Sequence, residues 1–177
     1  MNKNFIAIFA ILIVSIAGCA RTASPSKQGS SGELGALSEL NLILPEEPVS
    51  AKNVLEIKQS VNDGDEVVVV GRIGGSKSPF TGRSAFTIVD CSLKSCSDRE
   101  GDNCPHPWDY CCEAPEDLAK ATILVKFVDN AGKTLAQDAR RSLGLRELQT
   151  VVIRGVARRN GDSGGIAIVG SGVFVRK

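Results

Sequence analysis

Five segments of this chain have the hydrophobic pattern of short β-strands, and they follow one another from residue 66 to the C-terminus. Each is rich in β-branched residues and is bounded by Gly, Asn, Asp or Ser. The predicted strands are residues 66–73, 85–90, 122–129, 151–157 and 166–175. Gly71 indicates a bend in the first strand, and Gly170-Ser171-Gly172 indicates a kink in the last. Asn160-Gly161 predicts a tight hairpin between the fourth and fifth strands.

Two further segments have a helical period. Ser50 precedes an apolar stripe at Val54, Ile57 and Val61, which predicts a short helix with Ser50 as its N-cap. Residues 134–148 place leucines on one side and predict a second helix between the third and fourth strands. Because five strands with a helix in that position are the order of an OB-fold, we predict an all-β domain, a small five-stranded OB-like barrel with one or two short helices. Another small antiparallel barrel or a sandwich is the alternative.

An apolar run near the N-terminus has the pattern of an export signal. Lys3 gives it a positive start, residues 5–16 are almost entirely apolar, and small residues lead to Cys19. The run is shorter than the roughly 20 residues that a permanent membrane helix needs. Ile-Ala-Gly-Cys at residues 16–19 resembles a bacterial lipobox, so we predict a lipoprotein signal peptide at residues 1–18 and lipidation of Cys19 with fatty acyl chains such as palmitate. An ordinary secretory signal or an N-terminal membrane anchor is the alternative.

The remaining chain divides into a tether and a domain. Residues 19–49 begin with Ser, Gly, Lys, Gln and Thr and end with two helix-breaking prolines, so we predict a lipidated, flexible tether. The OB-like domain is predicted at residues 50–177. Its expected location is the cell envelope, in the periplasm or at the cell surface, held at a membrane by the N-terminal lipid. By resemblance to lipoprotein sorting in Gram-negative bacteria, Ala20 favours the outer membrane.

Charge is balanced overall but uneven along the chain. The sequence has 21 basic and 20 acidic residues, and removal of the predicted signal takes away only Lys3. This balance gives no reason to expect a general nucleic-acid binder, and the predicted strands lack the aromatic stripe that single-strand binding needs. Residues 90–117 are strongly acidic, with only Lys94 and Arg99 as cations, whereas residues 154–177 are basic. The acidic stretch is either a solvated loop or an acidic surface that contacts a partner or a cation.

A cysteine-rich insert, residues 91–117, lies between the second and third predicted strands. Its cysteines are Cys91, Cys96, Cys104, Cys111 and Cys112, and it contains the single His, Trp and Tyr of the chain at His106, Trp108 and Tyr110. Residues 104–112 read Cys-Pro-His-Pro-Trp-Asp-Tyr-Cys-Cys. This segment and the strands after it resemble an uncharacterised family of bacterial secreted, OB-fold-like lipoproteins, over roughly residues 65–177. The resemblance implies a fold and a location in the cell envelope but no activity.

Three hypotheses account for the cysteines of the insert. Structural disulfides are the first, because an exported protein meets an oxidising compartment, and five thiols allow two bridges with one thiol left over. A zinc or copper site is the second, with Cys104, His106, Cys111 and Cys112 as ligands, although the paired Cys-x2-Cys spacing of common zinc sites is absent. A redox-active thiol is the third, although the chain has no Cys-x-x-Cys motif. The first hypothesis needs no cofactor.

The loops of an OB-fold frame its ligand face, which predicts a weak binding rim. We expect Lys77 and Arg83, between the first two strands, to lie near Arg158 and Arg159 in the last hairpin. Such a rim suits an anionic polymer or an envelope protein partner. Trp108 and Tyr110 are expected to pack the insert onto the barrel with their polar tips at the surface, or to stack on a ligand. Solvated loops without a ligand are the alternative.

No catalytic constellation is predicted. Residues 161–165, Gly-Asp-Ser-Gly-Gly, match the segment around the nucleophile of trypsin-like proteases, and the order His106, Asp129, Ser163 imitates a triad. That family needs two barrels, and a triad is recognised by geometry rather than by one short match. The favoured function is non-catalytic binding or adaptor work at the cell envelope, with metal binding as the alternative and thiol redox chemistry as the third.

Overall fold

Strand pairing closes the domain into a barrel. The computed structural model describes residues 41–160 and 165–177. Its barrel strands are β1 (Glu66–Ile73), β2 (Ala85–Val89), β3 (Thr122–Lys126), β4 (Thr150–Asn160) and β5 (Gly165–Val175). Around the barrel the order is β1-β2-β3-β5-β4, and β4 also pairs with β1. The β3–β5 pair is parallel and the other pairs are antiparallel. This is the order of an OB-fold, so the predicted fold class is confirmed.

Apolar side chains from the strands fill the interior of the barrel. β1 contains four consecutive valines, and its residues Val69 and Ile73 are fully buried. Phe86 of β2 is also fully buried, and its ring centroid lies 5.7 Å from that of Phe80 and 6.4 Å from that of Phe127. Closure of the sheet gives the barrel strands hydrogen-bonding neighbours on both sides, which allows their polar backbone to be buried with these side chains.

A β-bulge accompanies the curvature of the two longest strands. The register of β4 with β5 shifts between Arg154 and Gly155, and Ser171 of β5 is the extra residue. The two backbones approach so closely at this point that a Cβ atom on Gly155 would lie 2.4 Å from the carbonyl oxygen of Val169. The kink predicted at residues 170–172 therefore coincides with the bulge.

The helices are shorter than the sequence pattern predicts and differently capped. They are α1 (Val54–Ser60), α2 (Pro115–Ala121) and α3 (Ala139–Ser142). The helix predicted at residues 134–148 is wrong, because only the single turn of α3 forms there. Asp138 caps that turn, and Gly144, with φ of +66°, follows its end. Ser50 is not the cap of α1, since Asn53 occupies the N-cap position.

The packed domain begins before the predicted boundary at residue 50. Leu42 is buried, and the segment around Ile43 runs parallel to β5, where Val173 makes backbone hydrogen bonds with Leu42 (2.7 Å) and Leu44 (2.8 Å). The last part of the predicted tether therefore contacts the barrel. A two-residue strand, Lys52–Asn53, then pairs in parallel with β1.

Several predictions concern segments outside the described residues. These are the signal peptide at residues 1–18, the lipidated Cys19 with the first part of the tether, and the hairpin tip at residues 161–164. Within the described ranges, no helix combines the length and the apolar character that crossing a bilayer requires.

Substitution of Phe86 by Ala tests the core of the barrel. The variant has a cavity beside Phe80 and Phe127, so we expect its free energy of unfolding to fall by about 3–5 kcal/mol. Urea unfolding of the chain without residues 1–19, followed by circular dichroism, measures the loss. Val49→Ala is the control, because Val49 is 83% exposed and its variant should unfold as the wild type does. Equal stability of the two variants would contradict the core position of Phe86.

Candidate functional site

The insert is the candidate site, and it leaves the barrel at a buried carboxylate. Asp90 follows β2 directly, and its side chain accepts hydrogen bonds from the backbone N–H groups of Leu55 (2.9 Å) and Ser92 (3.0 Å). Leu55 lies in the first turn of α1, so Asp90 satisfies a free helical N–H group from across the fold. A buried carboxylate needs such donors, and these two fix the start of the insert against α1.

Backbone hydrogen bonds fold the insert back on itself. The N–H group of Cys96 donates to the carbonyl of Asp109 (2.9 Å), and that of Ser97 donates to the carbonyl of Pro107 (3.0 Å). The N–H group of Glu113 then donates to the carbonyl of Tyr110 (2.9 Å) and closes a turn. The first two of these bonds bring the first half of the insert beside its last half, although the bonded residues are 13 and 10 positions apart in sequence.

Helix α2 returns the chain to β3. Pro115 begins it at a position where a missing N–H group has no cost. At its other end, the ammonium group of Lys58 in α1 donates to the carbonyls of Ala119 (2.6 Å) and Thr122 (2.9 Å). A cation at a helix C-terminus is electrostatically favourable, so α1 holds both ends of the insert.

The insert docks on the loop that joins β1 and β2. The N–H group of Gly75 donates to the carbonyl of Trp108 (3.2 Å), and Trp108 Nε1 donates to the carbonyl of Lys77 (3.1 Å). A Cβ atom on Gly74 would lie only 2.6 Å from the carbonyl oxygen of Trp108, so the two backbones are in direct contact. Tyr110 is fully buried in a small apolar cluster with Val89 of β2 and Ala121 of α2. Among the described residues its hydroxyl has no hydrogen-bond partner, and burial raises its pKa to about 12.

An ion pair joins the insert to β1. Arg72 of β1 binds the carboxylate of Asp98, and its Nε donates to the carbonyl of Leu148 (3.2 Å). Ser95 donates to the same carboxylate through both its N–H group (2.9 Å) and its hydroxyl (2.8 Å). Partial burial opposes ionisation of Asp98, but the hydrogen bonds from Ser95 and Arg72 outweigh it and hold its pKa below the ordinary value.

Four of the five thiols of the insert lie together. The sulfur of Cys111 is 3.5 Å from that of Cys96 and 4.0 Å from that of Cys104. Cys96, Cys111 and Cys112 have their sulfurs within 4.8 Å of one another, and Cys96 and Cys104 are also within that distance. Burial raises the pKa of Cys96 to about 12, with the neighbouring thiols as further causes. We call these four residues the thiol cluster.

The predicted metal ligands are only partly brought together. Cys104, Cys111 and Cys112 belong to the thiol cluster, but the fourth member is Cys96 rather than His106. The imidazole of His106 stacks edge-on against Trp108, with ring centroids 5.7 Å apart. Cys91 lies at the surface outside the cluster, and desolvation of its thiol together with the charge of Asp90 raises its pKa. Two carboxylates, Asp102 and Asp109, have an oxygen within 4.8 Å of cluster sulfurs.

The predicted basic rim is not assembled. In the β1–β4 pair, Glu66 faces Val156 and Arg72 faces Thr150. The loop with Lys77 and Arg83 follows the end of β1, whereas Arg158 and Arg159 lie beside its start. Six residue steps separate those two ends, about 20 Å along an extended strand. The guanidinium of Arg83 instead donates to the carbonyl of Thr134 (2.6 Å).

The protease-like match finds no support among the described residues. Asp129 accepts hydrogen bonds from the N–H groups of Ala131 and Lys133, both 2.9 Å, and thereby closes its own turn. His106 lies in the insert against Trp108. Ser163 lies outside the described residues. Asp129 therefore has a local structural role.

A groove of about 920 Å³ lies between α1 and the β1–β4 pair. Its lining combines apolar residues such as Ile57 and Val67 with charges of both signs, among them Lys52, Glu66 and Arg154. None of the predicted site residues lines this groove. The mixture of charges indicates no particular ligand class, so the insert remains the more specific candidate.

Neither a protein-family model nor a curated protein sequence matches the chain. Similar solved structures include OBody AM3L15 bound to hen egg-white lysozyme, with TM-score 0.40, 18% identity and coverage of 75% of this chain and 93% of that chain. OBody AM2EP06 and OBody AM1L10, each bound to hen egg-white lysozyme, have TM-scores of 0.38 and 0.37 and identities of 18% and 20%. They cover 75% and 76% of this chain and 95% and 98% of their own. The fold assignment rests on the strand order of the chain itself.

Sequence reasoning missed the residues that position the insert. Arg72 reads as an ordinary polar residue within a strand, and its partner lies 26 residues away. Ser95-x-x-Asp98 is a recognisable signal, because Ser followed three residues later by an acidic side chain is the pattern of a capping box. The sequence places Cys104, His106, Cys111 and Cys112 within nine residues, and Cys96 lies outside this stretch, so proximity along the chain does not single it out as a ligand.

Substitution of Gly74 by Ala tests the docking of the insert. The new methyl group would collide with the Trp108 backbone and with the Tyr110 ring, 3.0 Å away, so we expect a destabilisation of about 1–3 kcal/mol. Trp108 is the single tryptophan, so its fluorescence reports on the insert alone. We expect its emission to shift to longer wavelength and protease cleavage within residues 91–117 to become faster. Ser76→Ala, an exposed position in the same loop, is the control, and identical behaviour of both variants would refute the contact.

Substitution of Asp98 by Asn tests the ion pair through pH. Because the pKa of folded Asp98 is lowered, its ionised form stabilises the fold above the ordinary carboxyl pKa, and this contribution disappears as the pH falls through the lowered value. We expect Asp98→Asn to lose about 1–2 kcal/mol at pH 7 and almost nothing at about pH 2. Urea unfolding followed by Trp108 fluorescence measures both. Glu100→Gln, which removes an exposed carboxylate, is the control. A constant difference between wild type and Asp98→Asn at all pH values would exclude this role.

Proposed function

We propose that this protein is a lipid-anchored, non-catalytic binding protein of the cell envelope, an adaptor whose OB-like barrel is the scaffold and whose insert is the contact surface. The attachment of the insert to the β1–β2 loop carries the proposal. β2 and β3 pair with each other directly, so the barrel closes without any contribution from the insert. A segment that the fold does not need, yet holds in place by backbone contacts at Gly74 and Gly75, is a reasonable binding surface.

The charge of the insert supports a particular kind of partner. Glu100 and Glu116 are exposed and Asp102 is half-buried, and none of the three forms an ion pair with another described residue. Asp98 and Glu113 are instead paired with arginines of the chain. Uncompensated carboxylates attract a positively charged surface and repel polyanions. The proposed partner is therefore an envelope protein with a basic patch rather than an anionic polymer.

The lipid anchor of the proposal rests on the sequence. The lipobox at residues 16–19 predicts that Cys19 is acylated, and more than one acyl chain holds a protein stably at a membrane surface. An anchored adaptor meets its partner at a high local concentration, so a modest contact area is sufficient for association.

The other two functions receive unequal support. A thiol-redox role requires a thiol with a lowered pKa, whereas the pKa values of Cys91, Cys96 and Cys111 are all raised. A metal-binding role is a second candidate, because the sulfurs of Cys96, Cys111 and Cys112 lie within 4.8 Å of one another, and the sulfur of Cys104 is close to those of Cys96 and Cys111.

Site-specific photo-crosslinking in the cells that express the full-length chain tests the proposed function. A photoreactive residue replaces Glu100 on the insert in the full-length chain, and a matched chain carries it at Lys133, an exposed residue of the β3–α3 connection. We expect a discrete membrane-associated product from position 100, several-fold stronger than from position 133. Glu116→Lys should weaken it, because charge reversal opposes a basic partner.

Cys19→Ser in the same chain tests the anchor. We expect this variant to move from the membrane fraction to the soluble fraction and to lose the crosslinked product from position 100. Membrane retention of Cys19→Ser would contradict lipid anchoring. Equal products from positions 100 and 133 would contradict the insert as contact surface.

A further inference from the structure

The thiol cluster has the spacing of ligands around one ion. In a tetrahedral site with zinc–sulfur bonds of about 2.3 Å, neighbouring sulfurs lie about 3.8 Å apart. The sulfur of Cys111 is 3.5 Å from that of Cys96 and 4.0 Å from that of Cys104, which brackets this value. The sulfurs of Cys96 and Cys111 each lie within 4.8 Å of the sulfurs of all three other members.

Disulfide bonds account for fewer of these short sulfur–sulfur distances than one shared ion does. Cys111 is close to both Cys96 and Cys104, but a disulfide joins it to only one of them. Cys111 and Cys112 are adjacent in sequence and share one turn, closed by the hydrogen bond from Glu113 to Tyr110. A single central ion binds every sulfur at once, whereas pairing must select among neighbours at similar distances.

The backbone holds the ligands before any ion arrives. Cys96 is 1% exposed and is fixed by its N–H bond to Asp109. The N–H group of Cys104 donates to Asp102 Oδ1 (2.7 Å), which sets the direction of that turn. Cys112 lies 3.8 Å from the other carboxylate oxygen of Asp102. The negative charge of Asp102 beside these thiols stabilises a bound cation electrostatically.

The insert also needs a cross-link, because its own core is small. Apart from the three-residue turn Cys96–Asp98, the described chain from Cys91 to Ala114 has no helix or strand. Its apolar contacts with the barrel centre on Tyr110 and Leu93. Loops of this length without regular structure are uncommon in compact domains, and metal binding is one way to stabilise the folded form of such a segment.

We propose that Cys96, Cys104, Cys111 and Cys112 form a tetrahedral site for one soft divalent cation, with Zn²⁺ as the natural occupant. Binding replaces the thiol protons, which pass to solvent, by zinc–sulfur bonds, so it requires no oxidant. Each disulfide, in contrast, removes two electrons and two protons and requires one. The site is structural, since its four protein ligands fill the coordination sphere. This inference develops the second candidate, the metal-binding role, and does not rest on the adaptor function.

The test is metal analysis and thiol mapping on one sample of the full-length chain, purified from membranes in detergent without chelators. We expect roughly one zinc per chain. Alkylation followed by mass spectrometry should label the four cluster thiols only after chelation, whereas labelling of Cys91 should not require chelation. Replacement of zinc by Co²⁺ should produce the visible absorption of tetrahedral thiolate-bound cobalt.

Matched variants test the ligand set. Cys96→Ser and Cys112→Ser should lose the zinc and the cobalt spectrum, whereas His106→Ala and Cys91→Ser should keep both. Cys112 is exposed, so its variant tests the ligand role even if the buried Cys96→Ser variant fails to fold.

Several results would overturn the site. Two disulfides without metal would identify the insert as disulfide-linked, and copper in place of zinc would refute the assignment of the ion. Loss of zinc from His106→Ala with retention in Cys96→Ser would refute the ligand set. The crosslinking result does not depend on any of these outcomes, so failure of this inference is distinguishable from failure of the proposed function.

Discussion

The position of β1 is the constraint on which the rest of the structure depends. β1 pairs with β2 on one side and with β4 on the other, so it closes the barrel. The same strand ends in the residues that receive the insert, because Arg72 binds Asp98 and Gly74 lies directly against the Trp108 backbone. A contact between two backbones does not adjust as a flexible side chain does. The strand that closes the core therefore also fixes the acidic, thiol-rich segment.

Polar groups rather than a core hold the insert together. Asp90 and Lys58 fix its two ends through backbone partners, and the Ser95–Asp98 capping box shapes its first turn. Tyr110 is the largest fully buried side chain of the insert, and the charge of Arg72 nearby partly offsets the rise that burial causes in the pKa of its hydroxyl. Such a segment gains greatly from a cross-link between its halves, and the thiol cluster lies where those halves meet.

The barrel strands were predictable because short runs of β-branched residues bounded by turn residues form a local pattern. The conformation of residues 134–148 was not predictable in this way. Thr134 pairs with Val128 in an isolated β-bridge, and the single helical turn in this segment begins only at Ala139, where Asp138 caps it. The basic rim failed for a different reason. Loops were assigned correctly, but the register of β1 with β4, which sets the distance between their ends, depends on pairing across the barrel.

The sequence by itself determined the succession of strands along the chain, the approximate extent of the insert, its acidity and its number of thiols. These follow from composition and from the local pattern of apolar residues. It also contains the Ile-Ala-Gly-Cys segment at residues 16–19, which resembles a lipobox and from which lipidation of Cys19 is predicted. Only the tertiary structure decided that Cys96 rather than His106 joins the other thiols, that Asp90 serves α1, and that the predicted rim cations lie apart. Each of these depends on residues that are distant along the chain, and contacts between them are formed by the fold and are not encoded in any local pattern.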